Sequence, residues 1–168
     1  GEDGAIAHVV LNLSDTAQHV EVTDLPQPLA IDLAPKSAGA AVFDAEGRLV
    51  AAEGVRVEAN GRTLLRSEAP AIVVALDKGV DLRSAQRVVV LPFGPGDLEL
   101  PRLDGGASAA VGDVRDGHWV EYDSVPVKDG RLRLDAAMAH SWIAFAPEGE
   151  RAELGRSILA RCLRAHDR

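Results

Sequence analysis

Arg87 to Leu100 reads RVVVLPFGPGDLEL. Val88, Val89, Val90 and Leu91 form a short continuous apolar run of β-branched character, which is what a strand buried on both faces requires. Pro92-Phe93-Gly94-Pro95-Gly96 ends that run, and Asp97-Leu98-Glu99-Leu100 alternates with the two-residue period of a half-buried strand. The glycines do not make a phosphate loop, because prolines withhold amide donors and no helical pattern follows. The stretch therefore reads as a crossing point between two β-rich parts.

Short strands are expected on both sides of it. Ala7 to Leu13 and His19 to Thr23 alternate around Ser14-Asp15-Thr16-Ala17, a run of residues that hydrogen-bond their own backbone. This predicts a hairpin with Val9, Leu11, Leu13, Val20 and Val22 inside and His8, Asn12, His19 and Glu21 outside. Leu29 to Leu33 follows between proline breaks. Val42-Phe43 and Arg48 to Val50 flank Asp44 to Gly47, and Val55 to Val57 and Arg62 to Leu65 flank Asn60-Gly61. Asn-Gly is a strong hairpin signal because both central residues of a type I′ turn need positive φ. Asp129-Gly130 before Arg131 to Leu134 repeats it. The recurring Gly-Arg pairs share turn chemistry without a fixed period, so no solenoid is indicated. Ala71 to Leu76, Ala107 to Val111, Gly117 to Tyr122, Val125 to Val127 and Ser141 to Phe145 complete the strands.

Only the end changes period. Arg151 to Arg164 places Leu154, Ile158, Leu159, Cys162 and Leu163 at helical spacing, with acids early and Arg161 and Arg164 late, as the helix dipole favours. The expected architecture is all-β, a β-sandwich of immunoglobulin or fibronectin type with one C-terminal α-helix. Residues 1–86 form one sheet-rich part, 87–150 a second, and 151–168 the helix. Val9, Leu11, Val20, Val22, Val89, Leu91, Val120 and Phe145 should be largely buried.

Composition narrows the function classes. With 168 residues, 46% of them hydrophobic, the chain can bury a core. A net charge of −8 without any long basic run argues against nucleic acid and anionic membrane surfaces as partners. No run of about 18 apolar residues is present, so no membrane span is expected. The single cysteine, Cys162, forms neither an intramolecular disulfide nor a thiolate cluster and leaves the compartment open. The chain opens at Gly1 with no leader pattern, which suggests a piece of a longer polypeptide.

Chemistry-bearing patterns are sparse. His8, His19, His118, His140 and His166 include no HxH or HExxH arrangement, no DxDxDG loop occurs, and no metal or other cofactor is implied. No GxSxG elbow surrounds Ser84, Ser108, Ser124, Ser141 or Ser157, and no cleft-forming carboxylate pair is apparent, so no catalytic residue is assigned. The candidate ligand site is Trp119 with Glu121 and His118: Trp119 and Glu121 share one strand face, where the ring could stack on a sugar. Packing in a core or against another domain is the competing reading, and the size of the ring favours it. Trp142 reads as core.

Ile72-Val73-Val74-Ala75-Leu76-Asp77, Asp81-Leu82-Arg83-Ser84 and Arg87 to Pro92, together with His8 to Asp15 and His19 to Val22, carry a resemblance. The chain resembles the C-terminal β-sandwich regions that follow the TIM-barrel catalytic domain of many bacterial glycoside hydrolases. There an "N-x-S-D" hairpin opens the region and two apolar strands flank a "D-x-L-x-x-S-x-R" connection, here in a shorter form. The resemblance spans residues 7 to 101. It implies a non-catalytic accessory module whose partner is a catalytic or other domain of the same polypeptide, with carbohydrate as a further partner. The alternatives are a carbohydrate-binding module and an immunoglobulin-like adhesion or spacer module.

Overall fold

A computed structural model describes residues 4–25, 27–101, 103 and 108–162, without the side chains of 159–162. Twelve strands are found among them: β1 (Ile6–Leu11), β2 (Gln18–Val22), β3 (Leu29–Leu33), β4 (Ala38–Phe43), β5 (Leu49–Ala59), β6 (Arg62–Ala75), β7 (Val88–Pro92), β8 (Gly96–Glu99), β9 (Ser108–Arg115), β10 (His118–Pro126), β11 (Arg131–Leu134) and β12 (Trp142–Phe145). A 3₁₀ segment, Glu148–Glu153, leads into the helix α1 (Leu154–Cys162). The chain is thus all-β, with antiparallel pairing throughout and one short helix at the end. No described helix is long and apolar enough to cross a membrane.

Two long strands organise the pairing. The main path runs β1-β4-β5-β6-β7-β12-β9-β10, and β2-β3 branches from β5 while β8-β11 branches from β6. The first half of β5 pairs with β4 (Ala40 opposite Glu53) and its second half with β3 (Ile31 opposite Val57). Likewise β6 pairs near its start with β8 (Arg66 opposite Glu99) and near its end with β7 (Val74 opposite Val89). Register shifts between Gly54 and Arg56 and between Val57 and Glu58 are bulges, which sharpen twist and bend a strand. The sheet folds over in a sandwich-like manner: a smaller half, β2, β3, β8 and β11 with the parts of β5 and β6 that pair with them, closes on the larger half formed by the main path.

The closure is tight at two glycines. A Cβ on Gly39 would sit 2.4 Å from Leu33 Cδ2, and one on Gly54 would sit 2.8 Å from Ile31 Cγ2. Only the absence of a side chain lets β3 approach this closely. One buried cluster fills the interior, joining Ile31, Leu33, Leu65, Leu98 and Leu132 to Val73, Val90, Val111 and Ile143, so residues before and after 86 share a core. The Asn60-Gly61, Asp116-Gly117 and Asp129-Gly130 turns all have positive φ at both residues, as the hairpin reading of the first and third requires.

The first hairpin expected from sequence does not form. β1 pairs with β4 (Val9 opposite Ala40) and β2 with β3 (Val20 opposite Ile31), so the two strands belong to different halves. Asn12 is the cause. It is 4% exposed rather than outside, and its Nδ2 donates to the carbonyls of Thr16 and Ala34, both at 2.8 Å. Its Oδ1 accepts from Ser14 N (3.0 Å) and Ser14 Oγ (2.7 Å). The loop is therefore held as a crossover between halves. With Asn12 turned inward, the two-residue period sends Val10 and His8 inward and Val9 and Leu11 outward, and each of these last two is 65% exposed. Val89 and Phe145 are buried as expected, Val20, Val22 and Leu91 are half-buried, and Val120 on the edge strand β10 is 36% exposed because nothing pairs beyond it.

The polar connection Asp77 to Gln86 is pinned to the start of β5. Asp81 Oδ2 accepts the Leu49 N–H at 3.0 Å, and its Oδ1 accepts the Arg83 N–H at 2.8 Å and Arg83 Nε at 2.6 Å. The Leu82 N–H donates to the Leu49 carbonyl at 2.6 Å, and the Leu82 side chain is fully buried. Burial alone would push the Asp81 carboxyl up, but hydrogen bonds from Arg83 and from the Arg83 and Leu49 amides outweigh it and hold the group below its ordinary value. A carboxyl lowered by folding adds stability that is complete above its unfolded value, about 4, and lost as pH falls through the folded value. Asp81→Ala should cost about 1–3 kcal/mol at pH 7 by leaving the Leu49 N–H without its acceptor. Urea unfolding should show that deficit shrinking as the pH is lowered below about 4; an unchanged midpoint at pH 7 would refute the clamp.

Candidate functional site

Trp119, Glu121 and His118 lie on β10, at one edge of the main sheet path. Trp119 and Glu121 share the face that α1 approaches. A Cβ on Gly112 would meet the Trp119 ring at 2.6 Å, so the indole lies directly over that glycine of β9. At Gly155 a Cβ would come within 2.5 Å of the Trp119 backbone nitrogen, so helix and strand touch backbone to backbone. Trp119 is half-buried beside Leu154 and Ile158, and its buried Nε1 has no hydrogen-bond acceptor among the described residues. Glu121 Oε1 is engaged by Arg151 Nη1 at 2.9 Å. His118 projects to solvent from the other face. The three residues therefore do not converge on one open site; two of them anchor the helix.

A second group of polar residues lines an open cleft of about 880 Å³ on the smaller half. Arg131 and Arg66 flank Glu99 at 3.3 Å and 3.8 Å, and Arg133 reaches Asp97 at 2.7 Å. Strand register accounts for them, since Arg66, Glu99 and Arg131 stand opposite one another on β6, β8 and β11. Opposite charges across neighbouring strands are a sheet-stabilising ladder. On β2 and β3, His19 Nδ1 lies 2.5 Å from Asp32 Oδ1, and that hydrogen bond holds the imidazole above its ordinary pKa. Asn12 and His8, expected outside with His19 and Glu21, are turned inward and do not join them. Among the described residues no three His, Cys, Asp or Glu side chains could hold a metal ion together.

The surface that stands out is the outer face of the larger half. Period-two alternation puts Val9 and Leu11 of β1, Ala38, Ala40 and Val42 of β4, Ala51 and Glu53 of β5, Ile72 and Val74 of β6, and Val89 and Leu91 of β7 on one side. The helix α1 covers part of it, with Leu154 and Ile158 fully buried on Val74, Val89, Ala110 and Ala144. Beyond Ile72 no described element covers the face. Toward β1 it opens onto Val9 and Leu11, with Leu13 exposed beyond the strand end. This surface is not legible in the sequence because β1 is apolar on both sides, and the expected burial of Val9 and Leu11 takes the opposite parity to the one the structure shows. The buried role of Asn12 was the deciding signal, and it depends on contacts from distant residues.

Glu53 is the one charged side chain in that patch. Ala40 stands beside it on β4 and Ile72 on β6, and among the described residues its carboxylate has no hydrogen-bond or ion-pair partner. Burial pushes its pKa above the ordinary value, because apolar neighbours replace water without supplying a donor.

Comparison with protein-family models, curated proteins and solved structures finds no match.

A carboxyl raised by folding costs stability as pH climbs from its unfolded value, about 4, through its folded value. Glu53→Gln is therefore expected to raise stability at pH 7, by less than about 1 kcal/mol, with the gain disappearing below about pH 4. Denaturant midpoints at the two pH values check it, and a loss of stability at pH 7 would mean that the carboxylate has an attractive partner.

Proposed function

We propose that this chain is a non-catalytic accessory module, a β-sandwich of immunoglobulin or fibronectin type, that seats its larger sheet face on a neighbouring domain of a carbohydrate-active enzyme. The supporting observation is the apolar outer face running from Val9 and Leu11 through Ala40 to Ile72, which no described element covers. Contiguous apolar area of this kind on a folded domain marks an interaction surface. The resemblance to glycoside-hydrolase accessory regions suggests the setting.

Carbohydrate binding through Trp119 has less support. One side of the ring is taken up by Gly112, and the neighbouring acid is committed to Arg151. A sugar needs an open ring face and free polar groups beside it.

The test is photo-crosslinking from position 11. With a photoreactive residue in place of Leu11, in the polypeptide expressed from its complete gene, crosslinks are expected to map to a separate domain, and the purified chain alone should not hydrolyse a panel of aryl glycosides. Retention on a polysaccharide gel that Trp119→Ala abolishes, with no crosslink from position 11, would establish the carbohydrate-binding alternative instead.

A further inference from the structure

Building on the docking reading, we propose that the occupant of the uncovered face is an apolar helix that brings one Lys or Arg onto Glu53. Two observations carry this. The first is the seat that α1 already occupies: two aliphatic side chains four residues apart, Leu154 and Ile158, rest on a sheet face built from Val74, Val89, Ala110 and Ala144. The adjoining uncovered half repeats that chemistry with Ala38, Ala40 and Val42, next to Ala51 and Ile72 at the margin of the α1 cluster, small and β-branched residues that let a helix approach closely.

The second is the Glu53 carboxylate in that half, which has no partner among the described residues. An apolar partner lying over Glu53 would strip water from an ionised group and give nothing back. A cation in the same place restores the lost hydration with a charge-assisted hydrogen bond. The site therefore selects its partner by charge as well as shape. It also selects against a second copy of the chain: face-to-face pairing would bring two Glu53 carboxylates onto apolar surface, and two molecules of net charge −8 repel.

The probes are two synthetic helical peptides with leucines four residues apart, identical except for a Lys or a Glu at the centre of the apolar stripe. Titrated into the protein at pH 7 and physiological salt and read by fluorescence anisotropy, the Lys peptide is expected to bind at least about tenfold more tightly than the Glu peptide. Glu53→Gln should shrink that ratio to about twofold or less, Glu53→Lys should invert it, and Asp123→Asn on the far edge strand should leave it unchanged. Leu11→Asp should weaken both peptides, with circular dichroism confirming that each variant is folded.

Equal binding of the two peptides, lost in Leu11→Asp, would overturn the charge selection and leave docking intact. Binding of neither peptide, or binding indifferent to Leu11→Asp, would overturn both. Sedimentation that reveals a dimer dispersed by Leu11→Asp would make a second copy the occupant and overturn the proposal.

Discussion

Everything in this fold hangs on the β5–β6 hairpin. Its strands, 11 and 14 residues long, are each shared between the two halves of the sheet, so one continuous ladder supports both layers of the core. Such strands must bend without breaking the pairing, and the bulges around Arg56 and at Val57/Glu58 supply the bend where the close approach of β3 demands it. Gly39 and Gly54 lie under that approach. The position of β3, and through it of β2, follows from which residues of β4 and β5 lack a side chain.

The parts that were legible from sequence were those fixed by neighbours in the chain. Asn60-Gly61 and Asp129-Gly130 adopt the backbone conformation their chemistry favours, and Val88 to Leu91 forms an interior strand between β6 and β12. Leu154 and Ile158 lie on a buried helix face, as their spacing indicates. The pairing of β1 was not legible in the same way. Its alternation is compatible with either face inward, and the choice rests on the Ala34 carbonyl, distant in sequence, which Asn12 bonds in addition to the local Thr16 carbonyl. Local pattern specifies a strand; long-range hydrogen bonding specifies its parity.

The candidate residues on β10 illustrate the same limit. Trp119 and Glu121 do share a face, but what that face meets is α1, thirty-odd residues further along the chain. The ring's value there is area: it closes the edge of the second apolar cluster, while Arg151, 13% exposed, pins Glu121 across it. The motif Asp81-Leu82-Arg83-Ser84 is likewise structural in this chain: Asp81 and the Leu82 N–H fasten the connection to Leu49, while Arg83 and the Ser84 hydroxyl bond back to Asp81.

The two edges of the main sheet path are treated differently, and the difference bears on how the molecule meets others. Unpaired strand edges invite association unless charge, bulges or proline discourage it. β10 has all three: Glu121 and Asp123 flank a bulge, and Pro126 ends the strand. β1 has none of them. It offers Ile6, Val9 and Leu11 to solvent at an open edge. An edge left unguarded beside an apolar face costs solubility unless something covers it, and Glu53, within that face, makes nonspecific apolar contact unfavourable. A single carboxylate there supplies the minimum discrimination such a surface needs: it admits a cation-bearing partner and penalises every purely apolar one, including the chain's own copy.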